Sequence, residues 1–314
     1  MTWDVDQVRP RSRVISDNDY SGDPDGLVQL AHHLLSPSID LRLVIGSRQA
    51  AIKPAADTPD TTAEDSAAAA HRVAELAGRT DVPIVTGAVQ PLQDRATPAS
   101  SAATDAIIAE ALRDDTDLPL FVTCGGGLTD ISSAWLVEPR IAERLTLVWI
   151  GGGEHEDLAV TPEGAGLEYN TQIDLLAAQV VFNDSDLRVW QVPRDAYVQV
   201  LASRAEMLTR MRPHGPLGAH LYDALGHTSE LWGLGETYVL GDSPLVLLTA
   251  LVSNFMPIPS SSRWVDRPRP RLTDSGSYEA NPDGPPLRIF TQLDTRLVLE
   301  DLYAQLAVHA DGGH

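Results

Sequence analysis

The chain has 314 residues, which is enough for one large α/β domain or two smaller ones. Acidic residues outnumber basic residues by 44 to 23, and the net charge of −21 argues against a nucleic-acid partner because it repels phosphate backbones. No apolar run approaches the ~20 residues of a membrane span, and the N-terminal stretch MTWDVDQVRPRSR lacks the apolar core of a signal peptide. The single cysteine, Cys124, excludes an internal disulfide, so we expect a cytoplasmic protein.

Short β-rich runs alternate with helical patterns through the first two thirds of the chain. The predicted strands are 11–16, 39–47, 82–87, 118–124, 144–152 and 187–192, and the predicted helices between them are 25–35, 63–78, 100–113, 129–137 and 173–183. Strands that alternate with helices are typical of βαβ units, in which helices cover both faces of a parallel sheet. The sequence therefore predicts an α/β fold with a mostly parallel, doubly wound sheet.

The last third of the chain has a more helical pattern. Its predicted elements are helices at 194–211, 216–225 and 243–253, a Pro/Ser/Gly-rich loop at 255–286, a strand at 287–294 and a terminal helix at 295–309. A second polar loop is predicted at 51–65. No stretch has the composition of an interdomain linker, so the sequence predicts one domain over residues 1–314.

Four aspartates directly follow the first predicted strand, in the stretch DNDYSGDPDG. They are Asp17, Asp19, Asp23 and Asp25, and they precede a predicted helix. Aspartates favour turns and helix starts, but one helix cap needs only one of them. Carboxylates this close together repel one another, and a hard cation with oxygen ligands would relieve that repulsion. Because ligands bind outside the carboxyl ends of parallel strands, the pattern indicates a cation site there.

This stretch resembles the N-terminal signature of the nucleoside hydrolases, including the inosine–uridine-preferring group, which has the form D-x-D-x-x-x-D-D-A. Pro24 separates the last two aspartates here, whereas they are adjacent in the usual pattern. Three later segments resemble the same family in the same order. They are FVTCGGGLTDISSAWL (121–136), GAGLEYNTQIDLLAAQVVF (164–182) and YVLGDSPLVLLTAL (238–251).

The resemblance implies a nucleoside-hydrolase-like fold and the Ca²⁺-dependent hydrolysis of an N-glycosidic bond in a nucleoside or related riboside. In the family a backbone carbonyl at the glycine-rich turn ligates Ca²⁺. The implied ligands are therefore Asp19, Asp23, Asp25, the Thr129 carbonyl and Asp242. The resemblance further implies a homodimer or homotetramer that takes a small-molecule substrate.

By the same resemblance Asp19 is the catalytic base, which takes a proton from the attacking water. Asp23 is implied to contact the 2′-hydroxyl of the sugar, and Glu168 and Asn170 to bind further ribose hydroxyls. The alternative is that Glu168 and Asn170 are ordinary surface or helix-capping residues.

The leaving-group side departs from the family. Gly241 stands where many members carry a histidine suited to protonate a purine, and no asparagine occurs at 161–163, near a sugar-contacting position of the family. His227 is a candidate for the missing acid, and His155 is an alternative. Trp232 is predicted either to stack on the leaving group or to pack in the core.

Two other functions fit parts of the sequence. VISDNDYS also fits the D-x-D pattern of Mg²⁺-dependent phosphatases, in which Asp17 would be the nucleophile and Asp19 the acid/base. That family needs a downstream lysine, and Lys53 comes too early in the chain. The departures at Gly241 and 161–163 also fit a relative that binds metal and sugar without turnover.

Overall fold

The computed structural model describes residues 8–49, 62–159, 166–252 and 261–312. The strands are β1 (Ser12–Asn18), β2 (Ile39–Gly46), β3 (Ile84–Thr86), β4 (Leu120–Cys124), β5 (Leu145–Ile150), β6 (Arg188–Val192), β7 (Leu201–Ser203), β8 (Thr237–Val239), β9 (Arg263–Pro268), β10 (Arg271–Leu272), β11 (Tyr278–Glu279) and β12 (Pro286–Gln292). The helices are α1 (Asp25–Leu35), α2 (Ala63–Leu76), α3 (Ala102–Ala111), α4 (Thr129–Val137), α5 (Tyr169–Ile173), α6 (Leu175–Gln179), α7 (Arg194–Tyr197), α8 (Arg204–Arg210), α9 (Gly215–Trp232), α10 (Pro244–Thr249) and α11 (Thr295–Ala310).

The central sheet of the described chain has eight strands in the order β3-β2-β1-β4-β5-β6-β12-β9. Neighbouring strands are parallel, except that β9 runs antiparallel to β12. The order changes direction between β1 and β4, and ligands of doubly wound sheets bind outside the strand ends at such a point. The prediction of a mostly parallel, doubly wound α/β fold is confirmed.

Apolar residues of the central strands face two separate cores, one on each side of the sheet. Val14 and Val44 belong to the core that α1, α2, α9, α10 and α11 cover. Their neighbours Ile15 and Ile45 belong to the core that α3, α4 and α6 cover. Successive side chains of a strand point to opposite faces, so a strand that is buried on both faces needs a continuous apolar run.

The structure corrects the predicted helices of the last third. The predicted helix 194–211 is interrupted by β7, which pairs antiparallel with β8. The predicted helix 216–225 is one part of α9, which continues to Trp232 and ends at Gly233 in the left-handed conformation (φ 66°). A glycine adopts this conformation readily, which makes it a common end of helices.

The predicted loop 255–286 contains β9, β10 and β11 in its described part. β9 is the edge strand of the sheet, and Pro268 stands at its last residue, where a missing N–H is tolerated. Arg288 of β12 lies 5.0 Å from the rings of both Trp190 and Trp264, which ties this edge to β6. The predicted polar loop 51–65 lies mostly outside the described residues, and α2 begins within it, at Ala63.

None of the helices in the described ranges is long and apolar enough to cross a membrane. The assignment of residues 1–314 to a single domain stays a prediction.

Candidate active site

The carboxyl ends of β1 and β4 lie side by side and form the floor of the candidate site. Asp17 of β1 is paired with Cys124 of β4, and the N–H of Gly125 continues this pairing with a 3.0 Å hydrogen bond to the Asp17 carbonyl. A Cβ atom at Gly125 would overlap the side-chain amide of Asn18. The first glycine of the turn is therefore required, because the backbone packs directly against Asn18.

A cavity of about 300 Å³ opens above this floor. It contains the predicted residues Asp19, Asp23, Asp25, Asp242, Glu168, Asn170 and Trp232. The rest of its wall is formed by Gln49, Gly125, Ile150, Tyr169, Tyr197, Val198, Val239 and Gly241. The structure thus brings together residues that are more than 200 positions apart in the chain.

Burial and mutual repulsion raise the pKa values of the aspartates in this cavity. For Asp19 the raised pKa comes first from burial and then from the carboxylates of Asp242 and Asp23. For Asp25 it comes from burial and then from Asp23 and Asp242. Burial raises the pKa of Asp242 to about 8. No arginine, lysine or histidine is part of the described cavity wall, so no basic side chain there balances this charge.

The oxygen-rich wall fits a hard divalent cation, since such ions prefer carboxylate and carbonyl ligands. Among the described residues, however, no group of three or more His, Cys, Asp or Glu side chains is already arranged to hold a metal ion.

Hydrogen bonds hold these aspartates in place. The N–H of Asp242 donates to Oδ2 of Asp25 over 3.1 Å. The Tyr238 hydroxyl donates to Oδ1 of Asp23 over 2.7 Å. Asp23 and Asp25 therefore reach different partners on either side of Pro24, although both line the same cavity.

Sequence reasoning missed Asn18. Its Nδ2 donates to Oδ2 of Asp242 over 2.8 Å, and its Oδ1 accepts the Asp19 N–H over 2.9 Å. The side chain is fully buried, so it positions the Asp242 carboxylate and the backbone of Asp19 from below. The available signal was its place at the end of a strand between two aspartates, where alternate side chains face opposite sides.

Glu168 caps helix α5 from the cavity wall. Its Oε1 accepts from the Asn170 N–H (3.0 Å) and the Tyr197 hydroxyl (3.0 Å). Its Oε2 accepts from the N–H groups of Gly152 (2.8 Å) and Thr171 (2.9 Å) and from the Thr171 hydroxyl (2.9 Å). The capping role that was the alternative for Glu168 is therefore present in the structure.

Asn170 has a related structural role, since its Nδ2 donates to the carbonyls of Gly125 and Ile150, each over 2.8 Å. These bonds tie α5 to the ends of β4 and β5. Glu168 and Asn170 can therefore each line the cavity and also stabilise its wall.

The structure does not bring Thr129 to the cavity, which corrects its assignment as a metal ligand. Thr129 is the first residue of α4; its hydroxyl donates to Asp174 (2.9 Å) and its carbonyl accepts from the Ser132 hydroxyl (3.0 Å). The residue of this turn that lines the cavity is Gly125, because it still follows the direction of β4 beside β1.

Neither candidate acid reaches this cavity. His227 is exposed on α9, and the five positions that separate it from Trp232 correspond to a rotation of about 140° around the helix. His155 is buried; its ring stacks on Tyr278 with centroids 4.4 Å apart, and its Nε2 lies 2.9 Å from Oε1 of Gln191.

His155 lines a second cavity of about 610 Å³, which shares Glu168 with the first. This larger cavity contains none of the four aspartates that line the first, so its size does not make it the candidate active site. Asp17, the nucleophile of the phosphatase alternative, is buried beside Cys124 and is not part of the first cavity's wall. Lys53 lies outside the described residues.

The family model described as inosine-uridine preferring nucleoside hydrolase matches residues 14–257. Curated relatives with that description come from Crithidia fasciculata (37% identical over 146 residues, 39% of this chain) and Leishmania major (43% identical over 81 residues, 26% of this chain). The matched stretches cover 44% and 24% of those relatives.

Solved structures show the same fold. A plant nucleoside hydrolase is 18% identical with a TM-score of 0.70, and the match covers 95% of this chain and 99% of that one. A purine-preferring ribonucleoside hydrolase from Gardnerella vaginalis is 17% identical with a TM-score of 0.69 and the same coverage of both chains. With the family model matching most of its length, this chain belongs to the inosine–uridine preferring nucleoside hydrolase family.

Proposed function

We propose that this protein hydrolyses the N-glycosidic bond of a nucleoside or related riboside with the help of bound Ca²⁺. The observation that carries this proposal is the meeting of Asp19, Asp23, Asp25 and Asp242 in one cavity at the switch point of the sheet. Membership of a family of N-glycosyl hydrolases that are generally metal-dependent supports it.

The cation would be held by Asp19, Asp25 and Asp242, together with the backbone carbonyl of Gly125. Asp25 and Asp242 are already joined by a hydrogen bond, and Gly125 lies in the wall beside them. When bound, a divalent cation supplies Lewis-acid polarisation of the oxygens that it contacts. Asp23, which is also a candidate ligand, is held by Tyr238 and would meet the 2′-hydroxyl of the sugar.

Asp19 would take the proton of the attacking water. Burial raises the pKa of its carboxyl, which makes the ionised form a stronger base. The sugar carries positive charge in an oxocarbenium-like transition state, and a wall of carboxylates stabilises that charge. Asn170 and Glu168 would orient the ribose, Asn170 from the first turn of α5 and Glu168 from the capping position before it.

A reducing-sugar assay over inosine, uridine and other ribosides, with and without a chelator, tests the function. We expect ribose release that stops in the chelator and returns with Ca²⁺ more than with Mg²⁺. Undiminished turnover in the chelator would show that hydrolysis does not require the cation. A protein that binds Ca²⁺ and ribose but releases no sugar would be the non-catalytic relative that Gly241 suggests.

We also infer from the family resemblance that the protein forms a homodimer or homotetramer, and from its single cysteine that it is cytoplasmic. Sedimentation of the purified chain tests the assembly, and cell fractionation tests the location. A monomer at micromolar concentration, or recovery outside the cytoplasm, would contradict these inferences.

A further inference from the structure

Helix α1 carries a line of polar side chains that leads from the cavity into the interior of the protein. Asp25 lines the cavity, and Gln29 and His33 follow it at intervals of four residues, which places all three on one face of the helix. Both Gln29 and His33 are fully buried. Buried polar side chains normally have hydrogen-bond partners, so the contacts of these two residues show what the line connects.

The line meets the candidate site at Asn18. The two protons of its Nδ2 are directed to Oδ2 of Asp242 (2.8 Å) and to Oε1 of Gln29 (3.2 Å). Its Oδ1 accepts the backbone N–H of Asp19, which can only donate. This N–H fixes the orientation of the Asn18 amide, and the amide protons therefore face Asp242 and Gln29.

The orientation of Asn18 in turn fixes the orientation of Gln29. Because Asn18 donates, the Gln29 atom that faces it is the carbonyl oxygen, and Nε2 of Gln29 points away from it. This nitrogen donates to Oγ of Ser16 (3.1 Å) and lies 2.6 Å from Nδ1 of His33. Both amide protons of Gln29 are thus used, and Nδ1 of His33 accepts one of them.

His33 continues the chain of hydrogen bonds to α10. Burial lowers the pKa of His33 to about 3, so its ring is neutral near neutral pH and carries one N–H. Since Nδ1 is an acceptor, the proton is on Nε2, which lies 3.0 Å from Oγ1 of Thr249. The Thr249 hydroxyl donates to the Leu245 carbonyl over 2.6 Å, so it accepts from His33.

These contacts join the two elements that position Asp25 and Asp242. Asp25 is the first residue of α1, and Asp242 stands two residues before Pro244, the first residue of α10. At the cavity the N–H of Asp242 donates to Asp25. About two helical turns away, His33 of α1 contacts Thr249, the last residue of α10. The two elements are thus tied together at both ends.

We propose that Gln29 and His33 are positioning residues of the proposed active site. Through their hydrogen bonds they keep the amide protons of Asn18 directed at Asp242. This inference rests on the proposed function, in which Asp242 binds the cation. Without the acceptor on His33, the Gln29 amide is no longer held in one orientation, and Asn18 loses a fixed acceptor. The Asp242 carboxylate is then held less firmly for the cation.

Two substitutions at position 33 separate this role from packing. The side-chain oxygen of asparagine lies where the imidazole has Nδ1, and the side-chain nitrogen of glutamine reaches the place of Nε2. His33→Asn therefore keeps the acceptor for Gln29 and loses the contact with Thr249, whereas His33→Gln does the reverse. If His33 only packed in the interior, both variants would be impaired to a similar degree.

The measurements are the Ca²⁺ affinity and kcat for inosine and uridine at saturating Ca²⁺. We expect His33→Gln to lower the Ca²⁺ affinity by about tenfold, the smaller of the losses typical for outer partners of metal ligands, and to lower kcat as well. His33→Asn should remain close to the wild type. Equal effects of the two variants, including none, or a larger loss in His33→Asn would overturn the positioning role. His71→Gln, at an exposed position of α2, is the matched control.

The tautomer of His33 tests the chain of hydrogen bonds in the wild-type protein itself. Nitrogen NMR distinguishes the two neutral forms of imidazole, and the His33 signal is assigned by its absence from the spectrum of either variant. We expect the form with the proton on Nε2. A proton on Nδ1 would place a donor against the Gln29 amide and overturn the proposal. The expected tautomer in a protein that binds no Ca²⁺ and releases no sugar would leave the hydrogen-bond chain standing and contradict the proposed function.

Discussion

The backbone N–H of Asp242 donates a 3.1 Å hydrogen bond to Oδ2 of Asp25, which joins residues 217 positions apart. This contact explains how the family pattern tolerates Pro24 between the last two aspartates. Pro24 adopts φ −69°, which suits its ring, and Asp25 follows as the first residue of α1. The proline starts the helix, and its helical turn keeps the Asp25 carboxylate in the cavity.

Asp25→Ala should abolish cation binding while the fold is retained. The substitution removes a predicted ligand and the acceptor of the Asp242 N–H at the same time. We expect Ca²⁺ affinity, measured by calorimetric titration, to fall by more than ~100-fold. Removing a residue that only hydrogen-bonds a metal ligand already lowers metal affinity by up to ~100-fold, and Asp25 is itself a predicted ligand. Asp117→Ala, at an exposed position, is the matched control. Stoichiometric, tightly bound Ca²⁺ in Asp25→Ala would show that this side chain is not a ligand.

Asp19→Asn should remove the base and preserve the shape of the side chain. We expect kcat to fall by at least ~100-fold, because an amide cannot accept the proton of the attacking water. Thermal stability in the presence of a chelator should not decrease, since a buried carboxyl with a raised pKa is replaced by a neutral group. Asp117→Asn is the matched control. Wild-type turnover in Asp19→Asn would show that another group is the base.

Local patterns were sufficient to predict the elements around the acidic loop. The predicted helix 25–35 coincides with α1, because its apolar periodicity begins after Pro24. The strands β7 and β9 were not predicted. Each depends on an antiparallel partner, β8 or β12, and such pairing between distant segments is not visible in local propensity.

The site was predictable where carboxylates cluster in sequence, and less so where contacts are distant. Asn18 was missed because its partner Asp242 is 224 positions away. His227 was proposed as an acid because it lies in the segment 226–242, which leads to Asp242 and lacks the histidine that many family members carry at position 241. Since α9 continues to Trp232, the helix fixes His227 on an exposed face instead.

Asn18→Asp should destabilise the protein although it only replaces the side-chain amide nitrogen with an oxygen. The Nδ2 donor to Asp242, at 2.8 Å, becomes a carboxylate oxygen, so two buried acids face each other. We expect the free energy of unfolding to fall by roughly 3 kcal/mol in a chelator, the range for an uncompensated buried charge. Asn281→Asp, at a half-buried position, is the matched control. Equal urea midpoints for wild type and Asn18→Asp would contradict the role assigned to Asn18.

The cation-free protein should lose stability between pH 6.5 and pH 8. Burial raises the pKa of Asp242 from 3.8 to about 8, so the folded state binds more protons than the unfolded state in this range. Stability therefore falls as the pH rises. Below pH 6.5 the buried His33 has the opposite effect on the pH dependence of stability, because burial lowers its pKa to about 3. Measurements above pH 6.5, the usual pKa of histidine, therefore report on the carboxylates.

Ca²⁺ should cancel this loss, because it binds the ionised carboxylates and so favours the folded state most at high pH. Melting temperatures in a chelator and in excess Ca²⁺, recorded at pH 6.5 and pH 8, give the comparison. For a chain of this size a change of 1 kcal/mol corresponds to about 2 °C. We expect the Ca²⁺-induced rise to be larger at pH 8, and Asp242→Asn to flatten the dependence in the chelator. Two results would contradict the proposal that only a cation stabilises the ionised acidic cluster. They are a melting temperature that increases with pH in the chelator, and a Ca²⁺-induced rise that is equal at both pH values.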